Sequence, residues 1–168
     1  MSTLLSVDPG LRGVGAAIFV DGKLIRAEYV ENKAPKSATG SRACQIMGRT
    51  VFEWTLTMLR EEPKELALEH PQTYSGEASR GDTNDLFPLS AVICAIACYF
   101  SGAIVRDYLP RQWKGSIPKP KTARDSYPIE NKVRRLLDAG ETKVVLWPGS
   151  RKKCLDVADA IGVHGGNR

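Results

Sequence analysis

The sequence predicts an α/β fold in which helices pack against one mixed five-stranded sheet. Three consecutive strand patterns within the first 32 residues predict an antiparallel part of the sheet. Helix and strand patterns then alternate up to residue 108, and such helical crossovers join parallel strands. The length of 168 residues, with 42% hydrophobic residues, suits one domain over residues 1–168 that buries its own core.

The N-terminal strands form a predicted antiparallel meander. Turn-forming residues separate three apolar runs, and Asp21-Gly22 is a strong signal for a two-residue hairpin. The predicted strands are Thr3–Asp8, Val14–Val20 and Leu24–Glu31.

A long helix and a fourth strand are predicted next. Ser41 can cap a helix whose apolar residues recur at three- and four-residue spacing, and this helix ends near Arg60, ahead of Pro63. The apolar stripe consists of Ala43, Met47, Val51, Trp54 and Met58. The run Glu65–Glu69 is the fourth strand.

The segment 86–105 carries no charge over 20 residues, which is the length of a transmembrane helix. A break at Ser101-Gly102 favours instead a buried helix over Leu86–Phe100 and a fifth strand over Ile104–Tyr108. We therefore expect no membrane association. A helix that is apolar nearly all round needs cover on every side, so we predict that it contributes to a homodimer interface.

The C-terminal third is predicted to be basic and helical. Residues 110–127 are rich in basic residues and proline. Two helices follow, over Glu130–Ala139 and Leu155–Val163, and Gly165-Gly166 ends the second.

Cysteine usage and the N-terminus predict the compartment. Four cysteines without CxxC spacing indicate free thiols in a reducing environment. The first residues lack a basic region, an apolar stretch and a cleavage site. We therefore expect no export and a cytoplasmic location.

Positive charge is concentrated in one part of the chain. The formal net charge is +5, but residues 106–153 hold 13 basic and five acidic residues, against 10 basic and 12 acidic in residues 1–105. This asymmetry favours binding to a nucleic-acid backbone over a merely solvated face. The candidate phosphate-binding residues are Arg111, Lys114, Lys119, Lys121, Arg151, Lys152 and Lys153. Trp113 and Trp147 flank much of this stretch and either stack on bases or belong to the core.

Four carboxylates lie where a metal site can form. Asp8 ends the first strand, Glu69 ends the fourth, and Asp156 and Asp159 share one face of the last helix. If these elements converge, the repulsion is relieved by divalent ions bound through oxygen, and two ions about 3.5–4 Å apart can promote phosphodiester hydrolysis. The alternatives are a turn-forming Asp8 and a solvated Asp156–Asp159 face.

Three segments in this order and at these separations carry a family resemblance. They are SVDPGLRGVG around Asp8, LALEHPQ around Glu69 and DVADAIG around Asp156 and Asp159. This set resembles the RuvC-type Holliday junction resolvases of the ribonuclease H superfamily. The resemblance spans nearly the whole chain and includes RDYLPRQWKGSIPK, which is similar to the basic segment before the last helices of phage and bacterial members.

The resemblance implies a ribonuclease H-like sheet, with three antiparallel strands followed by parallel ones, and a catalytic site. Asp8, Glu69, Asp156 and Asp159 are then the catalytic and metal-binding residues, holding two Mg²⁺ ions for which Mn²⁺ substitutes. Asp8 bridges both ions, Glu69 and Asp159 bind one each, and Asp156 completes the site. Hydrolysis leaves 5′-phosphate and 3′-hydroxyl ends.

The implied substrate is a four-way DNA junction, cut by a homodimer in a bacterial cell or a phage-infected host; a helicase partner is unknown. Family members carry an aromatic residue, linked to opening the junction centre, soon after the strand-ending glutamate; the nearest candidate for this DNA-binding residue here is Tyr74, beyond His70-Pro71. Lys119 and Lys153 are the candidates for a lysine beside the scissile phosphate.

Three other functions are consistent with parts of the sequence. A nuclease of the same fold could cut flaps, other branched DNA or RNA–DNA hybrids. Asp8 with its following glycines also resembles the phosphate loop of actin-like ATPases and sugar kinases, but those proteins need two such domains. A catalytically silent DNA-binding relative is disfavoured because all four carboxylates are present.

Overall fold

The computed structural model describes residues 1–71, 86–114 and 128–165. Its strands are β1 (Thr3–Asp8), β2 (Gly13–Val20), β3 (Lys23–Glu31), β4 (Glu65–Glu69) and β5 (Ile104–Tyr108). Its helices are α1 (Gly40–Leu59), α2 (Leu86–Tyr99), α3 (Pro110–Lys114), α4 (Pro128–Leu136), α5 (Ala139–Lys143) and α6 (Arg151–Gly165).

The five strands form one mixed sheet in the order β3-β2-β1-β4-β5. The β1–β2 and β2–β3 pairs are antiparallel, whereas β4 pairs in parallel with both β1 and β5. The predicted α/β class with a mixed five-stranded sheet is therefore confirmed.

Alternate residues of the strands face two separate cores, as the two-residue period of a strand requires. In β1, Leu5 and Val7 pack with α1 and α2, whereas Leu4 belongs to the core beneath α6. In β4, Leu66 and Leu68 face α1 and α2, and Ala67 faces α6. Asp8 and Glu69 continue the alternation of Leu4 and Ala67, so both lie on the face that α6 covers.

Helix boundaries differ from prediction where capping decides them. Helix α1 begins at Gly40 with Thr39 as N-cap, so the prediction of a Ser41 cap was wrong; the Thr39 side chain makes no capping bond. The predicted helix over Glu130–Ala139 corresponds to α4, which ends at Leu136, and the short helix after it was not predicted. The Asp138 side chain accepts hydrogen bonds from the backbone N–H groups of Gly140 and Glu141 at 2.7 Å each, which starts a new helix, α5.

Helix α2 buries one face only. Val92, Ile93 and Ile96 are buried, while Cys94 and Cys98 are exposed to solvent. Within the described ranges, no helix has the length and apolar character needed to cross a membrane.

Backbone hydrogen bonds hold the segment between α5 and α6 against strand β3. The Leu146 backbone N–H donates to the Ala27 carbonyl at 2.8 Å, and the Ala27 N–H donates to the Val144 carbonyl at 3.2 Å. These bonds add a short parallel bridge between Ala27 and Val145 at the β3 edge. The chain therefore enters α6 from a position defined by backbone bonds.

Candidate active site

Asp8 and Glu69 end two neighbouring strands. The parallel register pairs Val7 with Leu68, so the next residue of each strand emerges at the same edge of the sheet. Both side chains lie on the α6 face. Glu69 is only 8% exposed, and Asp8 is half-buried.

Asp159 from α6 completes a group of three carboxylates. One carboxylate oxygen from each of Asp8, Glu69 and Asp159 lies within 4.8 Å of the others. Three such charges repel strongly in a partly buried site, and hard divalent cations prefer oxygen ligands of this type. The donor set therefore fits Mg²⁺ or Mn²⁺, and these residues could hold such an ion.

Gly15 explains how α6 comes so close to the sheet. It pairs with Asp8 across the β1–β2 ladder and faces α6. A Cβ atom at Gly15 would lie 1.8 Å from the Asp156 carbonyl oxygen and 2.8 Å from the Val157 nitrogen. The helix backbone therefore rests directly on the strand, and only glycine permits this approach.

Asp156 is not a member of the three-carboxylate group. It is close enough to Tyr29 of β3 to raise the pKa of that phenol, although burial of Tyr29 is the larger cause. Tyr29 pairs with Gly15 in the sheet, so Asp156 is associated with the β3 side of the site. The structure thus brings together three of the four predicted carboxylates.

Trp113 adds a contact that the sequence did not reveal. Its indole Nε1–H donates a hydrogen bond to Oε2 of Glu69 at 2.9 Å, and the side chain is 3% exposed. Of the two alternatives for Trp113, the core position is the one observed. Nothing in the sequence signals the bond, because its partners are 44 residues apart.

The predicted DNA-binding residues differ in their surroundings. Lys152 is exposed, whereas the Lys153 ammonium bonds to the Glu31 carboxylate and lies 4.8 Å from the centre of the Tyr29 ring. The bond to Glu31 raises the pKa of Lys153. Arg111 and Lys114 lie in α3, and Arg151 begins α6. The remaining three, Tyr74, Lys119 and Lys121, lie outside the described residues.

Neither histidine belongs to the carboxylate group. His164 packs against Phe19, with ring centroids 4.7 Å apart. The His70 backbone N–H donates to the Tyr108 carbonyl at 2.7 Å, which continues the β4–β5 pairing.

Solved structures of Holliday junction resolvases are similar to this chain. The structure of T. thermophilus RuvC in complex with Holliday junction substrate aligns at 18% identity with a TM-score of 0.64, covering 99% of this chain and 92% of that chain. A second Thermus thermophilus RuvC structure aligns at 20% identity with a TM-score of 0.58, covering 98% and 92%. The yeast mitochondrial Holliday junction resolvase Ydc2 aligns at 14% identity with a TM-score of 0.63, covering 98% and 77%.

These alignments extend over nearly the whole chain. No model of a known protein family matches it, and no curated protein matches its sequence. At identities of 14–20%, the comparisons establish the fold. The chain has the ribonuclease H-like fold of the RuvC-type resolvases, as the sequence resemblance predicted.

Proposed function

We propose that this protein is a metal-dependent nuclease that resolves four-way DNA junctions by paired symmetric nicks, in recombination, repair or phage DNA processing. The observation that carries the proposal is the convergence of Asp8, Glu69 and Asp159 at one edge of a RuvC-like sheet. A cluster of ionised carboxylates repels DNA unless cations neutralise it, so the site is suited to metal-assisted phosphodiester chemistry.

The proposed roles follow the positions of the side chains. Asp8 lies close to both Glu69 and Asp159 and is the candidate ligand shared by two ions, with Glu69 and Asp159 binding one each. Asp156 would complete a second ion site at the β3 side. Bound divalent ions supply an activated water and stabilise the leaving oxygen. The protein's part is to hold the ions through these carboxylates and to place the phosphodiester beside them.

Basic residues around the site would bind the DNA backbone. Lys152 is exposed one helical turn before Asp156, which places a positive charge at the start of the helix that carries Asp159. Such contacts give affinity without sequence preference and weaken steeply as salt concentration rises. Lys119 and Lys153 remain the candidates for the lysine at the scissile phosphate.

We also propose that the protein acts as a homodimer through α2. An exposed stripe runs along this helix at the spacing of one helical face, and it consists of Phe87, Ala91, Cys94 and Cys98. Phe87 is 74% exposed, which is unusual for a phenylalanine without a partner. A two-fold dimer would present two active sites to a two-fold junction, as paired cuts require.

Cleavage of labelled synthetic substrates tests the proposed activity. We expect symmetric nicks on a four-way junction, no cutting of linear duplex, activity with Mg²⁺ or Mn²⁺ and none with EDTA. Asp8→Asn should lower the cleavage rate by at least about 100-fold while junction binding is kept, because one ligand is weakened and the basic contacts are unchanged.

The matched control is Asp21→Asn in the β2–β3 hairpin, at the opposite end of β1 from Asp8, which should cut like the natural protein. Undiminished cleavage by Asp8→Asn would refute the site. Preferential cutting of a flap or an RNA–DNA hybrid would be consistent with the proposed metal site. It would show that the substrate is the flap or hybrid of the alternative nuclease function and not the four-way junction.

A further inference from the structure

We propose that Trp113 is a positioning residue that orients the Glu69 carboxylate toward Asp8 and Asp159 and so sets the metal affinity of the site. This inference rests on the proposed function, because it assigns Trp113 a role in the same carboxylate group. The feature that carries it is the buried hydrogen bond from the indole N–H to Glu69.

The hydrogen bond acts on a long, buried side chain. Glu69 has several rotatable bonds, and its carboxylate is sequestered from water at 8% exposure. The bond of 2.9 Å from the indole N–H to Oε2 limits the rotation of the carboxylate.

Trp113 is held through both its ring and its backbone. A Cβ atom at Gly162 of α6 would lie 2.0 Å from Cζ3 of Trp113, so the ring occupies a slot that only glycine leaves open. Nζ of Lys132 in α4 donates to the backbone carbonyl oxygen of Trp113 at 3.0 Å. The donor to Glu69 therefore has a defined position.

The slot and one metal ligand belong to the same helix. Gly162 follows Asp159 by three residues, so the two lie on one face of α6. Helix α6 thus supplies Asp159 directly and positions Glu69 through Trp113. This arrangement makes the position of Glu69 relative to Asp159 depend on how the indole packs against Gly162.

If Trp113 acted only in packing, the site would need its aromatic ring but not its N–H group. Trp113→Phe separates the two roles, because it keeps an aromatic ring over Gly162 and removes the donor. Trp147→Phe is the matched control. The Trp147 Nε1–H is buried and has no hydrogen-bond partner among the described residues, and its ring lies 4.1 Å from the Arg134 guanidinium.

The test is a titration of the full chain with Mn²⁺ in the absence of DNA, in which electron paramagnetic resonance measures the concentration of the free ion. We expect Trp113→Phe to bind Mn²⁺ about tenfold more weakly, as is typical when a partner of a metal ligand is removed. Trp147→Phe should bind like the natural protein. In junction cleavage, Trp113→Phe should need more Mg²⁺ for half-maximal rate and regain the rate at saturating Mg²⁺.

Equal Mn²⁺ affinity of Trp113→Phe and the natural protein would overturn the inference, and so would an equal loss in Trp147→Phe. If Trp113→Phe fails to fold, Gly162→Ala provides the test, because it keeps every carboxylate and the indole but displaces the ring. Unchanged Mn²⁺ affinity of Gly162→Ala would also overturn the inference. A natural protein that binds Mn²⁺ but cuts no junction would instead contradict the proposed function alone.

Discussion

At the scale of single residues, the pKa of Tyr29 depends on the position of Asp156. The pKa of Tyr29 is above its ordinary value of 10.0 because burial disfavours the phenolate and Asp156 adds repulsion, while Lys153 acts in the opposite direction. Because the folded-state pKa is raised, the contribution of Tyr29 to stability is complete below about pH 10 and is lost as the pH rises through the folded-state pKa.

Asp156→Asn should therefore lower the pKa of Tyr29, because it removes a neighbouring negative charge. The measurement is an ultraviolet titration of tyrosinate in metal-free protein, with Tyr29→Phe identifying which component belongs to this residue. An unchanged Tyr29 pKa in Asp156→Asn would show that the carboxylate lies elsewhere. Tyr29→Phe should also remove part of the loss of stability above about pH 10.

At the scale of elements, the close packing of α6 against β2 determines the geometry of the site. The backbone of α6 at Asp156 occupies the space that a side chain at position 15 would fill. Close approach at this point places Asp159 over the strand ends that carry Asp8 and Glu69. Gly15 therefore serves the site although it carries no functional group.

Gly15→Ala should lower the free energy of unfolding by about 1–3 kcal/mol, because the added methyl group forces α6 away from the strand. The same displacement should weaken Mn²⁺ binding. Urea denaturation measures the first effect, and Gly149→Ala is the control, since a Cβ there meets nothing within 4 Å. A Gly15→Ala variant as stable as Gly149→Ala would contradict this account of the packing.

Short helices were harder to predict than long elements. Helix α5 begins with a capping box formed by Asp138 and Glu141, a signal that is present in the sequence but lies at the end of the preceding helix pattern. Helix α3 has five residues and too little periodicity to be recognised. The long strands and α1 were predictable because their apolar spacing extends over several turns or pleats.

At the scale of the whole molecule, a partner over the exposed stripe of α2 would cover the side of this apolar helix that does not face the core shared with α1 and the sheet. The groove beside the stripe, between α1 and α2, has a volume of about 400 Å³ and is lined partly by Cys44, Ala95 and Tyr99. A second copy of the chain would cover both. Two active sites would then be related by the dimer axis.

Ala91→Arg should convert the dimer into a monomer, because it places a charge in the centre of the stripe. Sedimentation at micromolar concentration measures the oligomeric state, and junction cleavage should change from paired to single nicks. Ile25→Arg, an exposed apolar position on β3, is the control and should remain a dimer. A natural protein that is monomeric under these conditions would refute the interface.

The sequence by itself determined the order and type of the long elements and the residue types of a metal site. These properties follow from local periodicity and strand alternation, which neighbouring residues encode. The tertiary structure alone decided that Trp113 bonds to Glu69, that Lys153 pairs with Glu31 and that Asp156 lies outside the three-carboxylate group. These contacts join residues far apart in the chain, so they depend on how the elements pack and on no local pattern.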